Sequence, residues 1–84
     1  MAQVTVCYRA ALAEMTGRTE ETINADIVRD VLLHIKKAYG AGAQQAAKRM
    51  LIAVDNDSIL LRRGFDTRLT DGMSVRFMPI CGGG

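Results

Sequence analysis

Two kinds of hydrophobic spacing run through the chain, and the switches between them mark out its elements. In residues 4–8 apolar side chains recur at every second position, with Val4, Val6 and Tyr8 on one face and Thr5 and Cys7 on the other; this predicts a strand. Residues 10–15 are Ala-rich and predict one or two helical turns with Gly17 as their stop. Residues 18–24 predict a second strand, because Thr19, Thr22 and Ile23 favour extended backbone, while Glu20 and Glu21 suggest solvent on one side. The strongest periodicity lies in residues 27–39. There Ile27, Val28, Val31, Leu32, Ile35, Ala38 and Tyr39 form one apolar stripe, with Arg29, Asp30, Lys36 and Lys37 on the other side. Asp26 or Asn24 is the expected cap of this helix, and Gly40 and Gly42 end it.

Residues 41–48 (AGAQQAAK) fit either a connector or a weak helical turn. Residues 50–54 have the length of a buried strand, Asp55-Asn56-Asp57 is a turn cluster, and residues 58–61 read as a short returning strand. Arg62-Arg63-Gly64 reads as a loop. Asp71-Gly72 then turns the chain into an alternating strand over residues 73–78, with Val75 and Phe77 on one face. Pro79 ends regular pairing, having no N–H to give to a ladder. One long amphipathic helix covers only one face of a sheet, so the expected fold is a two-layer α+β domain. A β-grasp arrangement, with the helix across a mixed sheet, fits the order over residues 1–80, and residues 81–84 form a flexible tail.

Composition changes this picture little. The 84 residues suffice for one small domain, and with only Tyr8, Tyr39, Phe65 and Phe77 as aromatics the core must rest on Val, Ile, Leu, Met and Ala. A net charge of +2 does not announce a nucleic-acid binder, and Arg62, Arg63, Arg68 and Arg76 read most simply as a solvated surface near the tail. No apolar run approaches the roughly 20 residues needed to cross a bilayer. The start of the chain shows no secretory signal, and Cys7 and Cys81 do not make a disulfide framework. A cytoplasmic protein with reduced thiols is expected, with neither nucleic acid nor membrane as partner.

Five segments, taken in order, resemble the MoaD-like sulfur carriers of the MoaD/ThiS ubiquitin-like family. Residues 12–17 (LAEMTG) are similar to the family's LxExTG segment, and residues 28–32 (VRDVL) to the VRDLL start of its long helix. Residues 52–56 (IAVDN) resemble VAVNG. Residues 69–72 with 75–79 resemble the LxDGDxVxFxPP ending, and the family's final Gly-Gly falls on Gly83 and Gly84. The chain departs from the pattern at Ile27, where a Thr cap is usual. It departs again at Asn56-Asp57, where Asn-Gly is usual, so a looser or longer hairpin is expected there. Ile80 replaces a second proline and Gly82 an Ala or Ser, which suggests a slightly more flexible tail.

The resemblance implies that the reactive group is the C-terminal carboxylate of Gly84. A carboxylate is a poor electrophile until transfer of AMP from ATP makes it an acyl-adenylate, from which a sulfur nucleophile displaces AMP to leave a thiocarboxylate. Gly82 and Gly83 would thread the tail into partner active sites, because glycine has no Cβ to obstruct a narrow path and accepts the backbone angles each site requires. The implied partners are an E1-like (MoeB-like) adenylating enzyme and a large (MoaE-like) subunit of molybdopterin synthase, in a heterotetramer. ATP is used by the activating partner, and no cofactor is bound. Met78 and Ile80, leading into the tail, are the candidate partner contacts, whereas Phe77 is read as core.

Without the other segments, a glycine-rich end reads as a frayed terminus. Stand-alone catalysis is not expected, since no nucleophile triad, acid–base pair, phosphate loop or metal set is visible. Cys81 reads as a passive thiol, Cys7 as a strand residue, His34 as a partly exposed helix residue and Leu33 as an exposed one. Other readings remain open at this point: a carrier feeding thiamine, cysteine or tungsten-cofactor synthesis, a ubiquitin-like modifier of lysines, or an interaction domain with an incidental tail.

Overall fold

The computed structural model describes residues 1–80. The alternating stretch at the start forms β1 (Ala2–Cys7), and the chain passes through α1 (Ala10–Thr16) into β2 (Glu20–Ala25). Gly17 closes α1 in the left-handed conformation, its N–H donating to the Ala13 carbonyl. The amphipathic stretch forms α2 (Val28–Tyr39), followed at once by α3 (Ala41–Lys48). Then come β3 (Leu51–Val54), the two-residue β4 (Asp57–Ser58) and β5 (Ser74–Met78).

The strands form one sheet in the order β2-β1-β5-β3-β4, with β1 and β5 parallel and the other neighbours antiparallel. Val4 and Val6 of β1, Ile23 and Ala25 of β2, Val75 and Phe77 of β5, and Ile52 and Val54 of β3 turn to one side of it. They share a single core with Val28, Val31, Leu32 and Ile35 of α2 and with Ala43 and Ala47 of α3. The Tyr8 and Phe77 rings stack within that core at 6.2 Å between centroids. Among the described residues no helix covers the other face of the sheet. This is the expected two-layer α+β, β-grasp arrangement. Among the described residues no helix is long and apolar enough to cross a membrane.

Several local expectations are corrected. Neither Asn24 nor Asp26 caps α2; Asp30, in its first turn, reaches back so that its Oδ2 accepts from the N–H groups of Asp26 and Ile27 at 3.0 and 3.2 Å. Ala38 lies on the exposed side of α2. Residues 41–48 form a true helix, which the small side chains of Ala43 and Ala47 allow to pack closely. Gly40 joins it to α2 at φ +100°, an angle that L residues rarely adopt.

The β3–β4 hairpin is tight, not loose. Val54 pairs directly with Asp57, and Asp55 supplies the positive φ of +55° that such a turn requires. The returning strand stops after Ser58, whose Oγ accepts from the Leu60 N–H and starts a 3-10 turn over Ile59–Leu61. Arg62 and Arg63 turn the chain as expected, and a second 3-10 turn, Gly64–Asp66, follows them.

Candidate functional site

β5 carries the chain towards its C-terminus through the interior of the sheet. On one side Thr5, Val6 and Cys7 of β1 stand opposite Ser74, Val75 and Arg76; on the other, residues 51–54 of β3 stand opposite residues 75–78. β5 is therefore flanked by β1 as far as Arg76 and by β3 as far as Met78. Phe77 is fully buried, as read from the sequence. Met78 is half-buried opposite Leu51 on the uncovered face, and Ile80, past Pro79, is 66% exposed. Cys81 and the three glycines expected to thread and react, Gly82, Gly83 and Gly84, lie outside the described residues.

Parallel pairing with β1 decides what surrounds this exit. The end of β1, the start of β2 and the start of β3 all lie at the same end of the sheet as Met78. Cys7 is half-buried on the uncovered face, between Glu20 of β2 and Arg76 of β5. Arg9, Lys48 and Arg49 are exposed around the same end. The rim of the exit is thus mainly cationic, a field that favours an incoming polyanion or an acidic protein surface. Among the described residues none of these side chains forms a nucleophile–base pair.

A polar cluster beneath α2 was not anticipated. Glu21 follows the parity of Ile23 and Ala25 and so points to the helix side of β2, where its side chain is only 12% exposed. Its Oε2 accepts from the hydroxyls of Tyr8 and Tyr39 at 2.5 and 2.8 Å and lies 3.1 Å from Nε2 of His34; Arg18 stands 3.5 Å from Oε1. Burial pushes the Glu21 carboxyl up, but the hydrogen bonds from Tyr8, Tyr39 and His34 outweigh it and hold the group below its ordinary value. Burial, and then the bond to Glu21, push both tyrosine hydroxyls up. The signal was in the strand alternation, since position 21 shares a face with 23 and 25, but a glutamate among apolar neighbours reads first as solvent-facing.

A family model described as ThiS family matches residues 6–84. Small archaeal modifier protein 1 from Methanosarcina acetivorans superposes with a TM-score of 0.87 at 24% identity, over 100% of this chain and 98% of that one. A protein provisionally assigned as molybdopterin converting factor subunit 1, from Pyrococcus furiosus, superposes with a TM-score of 0.71 at 26% identity, over 94% and 98%. The BexX/CysO complex of Amycolatopsis orientalis supplies a chain with a TM-score of 0.83 at 18% identity, over 96% and 99%. The first and third of these likenesses are of fold. No curated protein sequence matches the chain.

Proposed function

The chain belongs to the ThiS family, whose members are ubiquitin-like sulfur carriers, and from that premise we propose that Gly84 bears the transferable sulfur and delivers it to molybdopterin synthesis. The observation that carries this reading is the span of the family match, which runs through Gly82, Gly83 and Gly84. The molybdopterin acceptor is supported by the 26% identical Pyrococcus furiosus protein, assigned to molybdopterin conversion.

In this reading the Gly84 carboxylate attacks the α-phosphate of ATP on an adenylating partner and releases pyrophosphate. A sulfide donor then adds at the acyl carbon and AMP leaves, giving the thiocarboxylate. The domain contributes position. β5 is held on both sides, so the tail begins from a fixed point, and the glycines beyond it are free of side chains that would obstruct a narrow active site. A large synthase subunit is the second partner, and the BexX/CysO complex is a precedent in this fold for a carrier held by a partner protein.

Intact mass before and after incubation with ATP, the adenylating partner and sulfide tests the proposal. A gain of roughly 16 Da, oxygen exchanged for sulfur at the activated carbonyl, that disappears when Gly84 is deleted is the expected outcome. No gain with a partner active on another carrier would sink it. Higher-mass conjugates at lysines of other proteins would indicate a modifier, the role named for the Methanosarcina acetivorans relative.

A further inference from the structure

Leu60 and Leu61, on the 3-10 turn after β4, are 81% and 82% exposed, whereas Ile59 beside them is buried. Leu60 forms one wall of a groove of about 240 Å³, whose other sides are Ile52, Ile59, Phe65 and Ile80, with Lys48 and Arg49 on its rim. We propose that this groove docks an extended, acidic segment carrying one large apolar side chain, contributed by the enzyme that takes up the tail.

Three observations define the occupant. β4 stands beside β3 only at Ala53 and Val54, so among the described residues the Leu51–Ile52 half of β3 has no strand on its outer side and leaves a course for an extended segment. The volume is below the roughly 300–1,000 Å³ of small-molecule sites, and its lining is apolar, which suits one protein side chain better than a metabolite. The charges point to an acid. Arg62 is committed to Asp57 at 2.6 Å, but among the described residues no carboxylate lies within 4.0 Å of Lys48, Arg49 or Arg63.

Ownership by the tail-processing enzyme rests on the function proposed above, and on Ile80, which lines the groove immediately before the tail begins. An enzyme holding this groove grips the carrier at the root of the segment it must thread. Displacing Leu60 from water and neutralising Lys48 and Arg49 would raise affinity beside a tail whose glycines have no side chains to offer.

The test is a titration of the full-length, ¹⁵N-labelled protein with an acetylated and amidated peptide, Glu-Asp-Phe-Asp-Glu, without ATP or enzyme, so that its result stands whether or not Gly84 accepts sulfur. Shifts confined to the amides of residues 49–52, 59–65 and 80, absent with Lys-Arg-Phe-Arg-Lys, are expected. Arg49→Glu and Leu60→Ser, both at exposed positions, should each weaken binding roughly fivefold while the remaining spectrum shows an intact fold. No shifts, shifts elsewhere, or equal binding of the basic peptide would overturn the proposal. Concentration-dependent shifts without peptide would assign the groove to a second copy of the chain and overturn it equally. With the adenylating enzyme, Leu60→Ser should raise KM for the carrier roughly fivefold and leave kcat unchanged; an unchanged KM would refute the link to tail uptake.

Discussion

The hydroxyl of Tyr39, in the last turn of α2, donates to Oε2 of Glu21 on β2 across 2.8 Å and so ties the end of the helix to an outer strand of the sheet. The Tyr8 hydroxyl, from just beyond β1, meets the same oxygen. Glu21→Ala would leave both hydroxyls without their acceptor in a half-buried place, and a loss of about 2–3 kcal/mol is expected. Glu21→Gln keeps an acceptor oxygen but removes the charge, and should lose about 1–2 kcal/mol. Urea unfolding with an unchanged m value checks both.

The same carboxylate makes stability depend on pH. Its folded value lies below the ordinary 4.5, so its contribution is fully present above that pH and is lost as pH falls through the lower, folded value. The advantage of the wild-type protein over Glu21→Gln in urea midpoint should therefore be constant at neutral pH and shrink below pH 4.5. An advantage that held undiminished into strong acid would contradict the hydrogen-bonded carboxylate.

Gly40 offers a purely backbone test. A Cβ there would meet nothing within 4 Å, yet φ is +100°, so Gly40→Ala brings conformational strain without a clash. A loss of about 1–3 kcal/mol is expected, read from the thermal midpoint.

Much of this architecture was legible in the sequence because its signals were periodic. The stripe of Val28, Val31, Leu32 and Ile35 specified α2, and the alternation around Val4, Val6, Val75 and Phe77 set which faces of β1 and β5 were buried. What the sequence hid depends on neighbours distant in the chain. Residues 58–61 look like a strand locally, but Ser58 turns its oxygen back on the Leu60 N–H and diverts the chain. Glu21 looks solvent-facing until Tyr8 arrives from beyond β1 and His34 and Tyr39 from α2. Nearness to the tail singles out Met78 and Ile80 as contacts; the groove beside Ile80 also takes in Leu60 and Phe65, which no spacing rule links to it.

Body and tail should respond separately to mutation. Deleting Gly83 and Gly84 is expected to leave unfolding free energy within about 0.5 kcal/mol while abolishing the mass gain. Phe77→Ala, at a fully buried position stacked on Tyr8, should cost about 3–5 kcal/mol and reduce thiocarboxylate yield only as far as it unfolds the protein. Equilibrium unfolding together with intact mass separates the two effects.

The interior position of β5 also has a mechanical consequence. A pull on the tail is directed along a strand whose hydrogen bonds run across to β1 on one side and β3 on the other. Such a load falls on both rows of bonds together, in shear, whereas a strand at the margin of a sheet could be peeled off one bond at a time. Under the function proposed above, an enzyme drawing the C-terminus into its active site would load the body in shear and leave it folded.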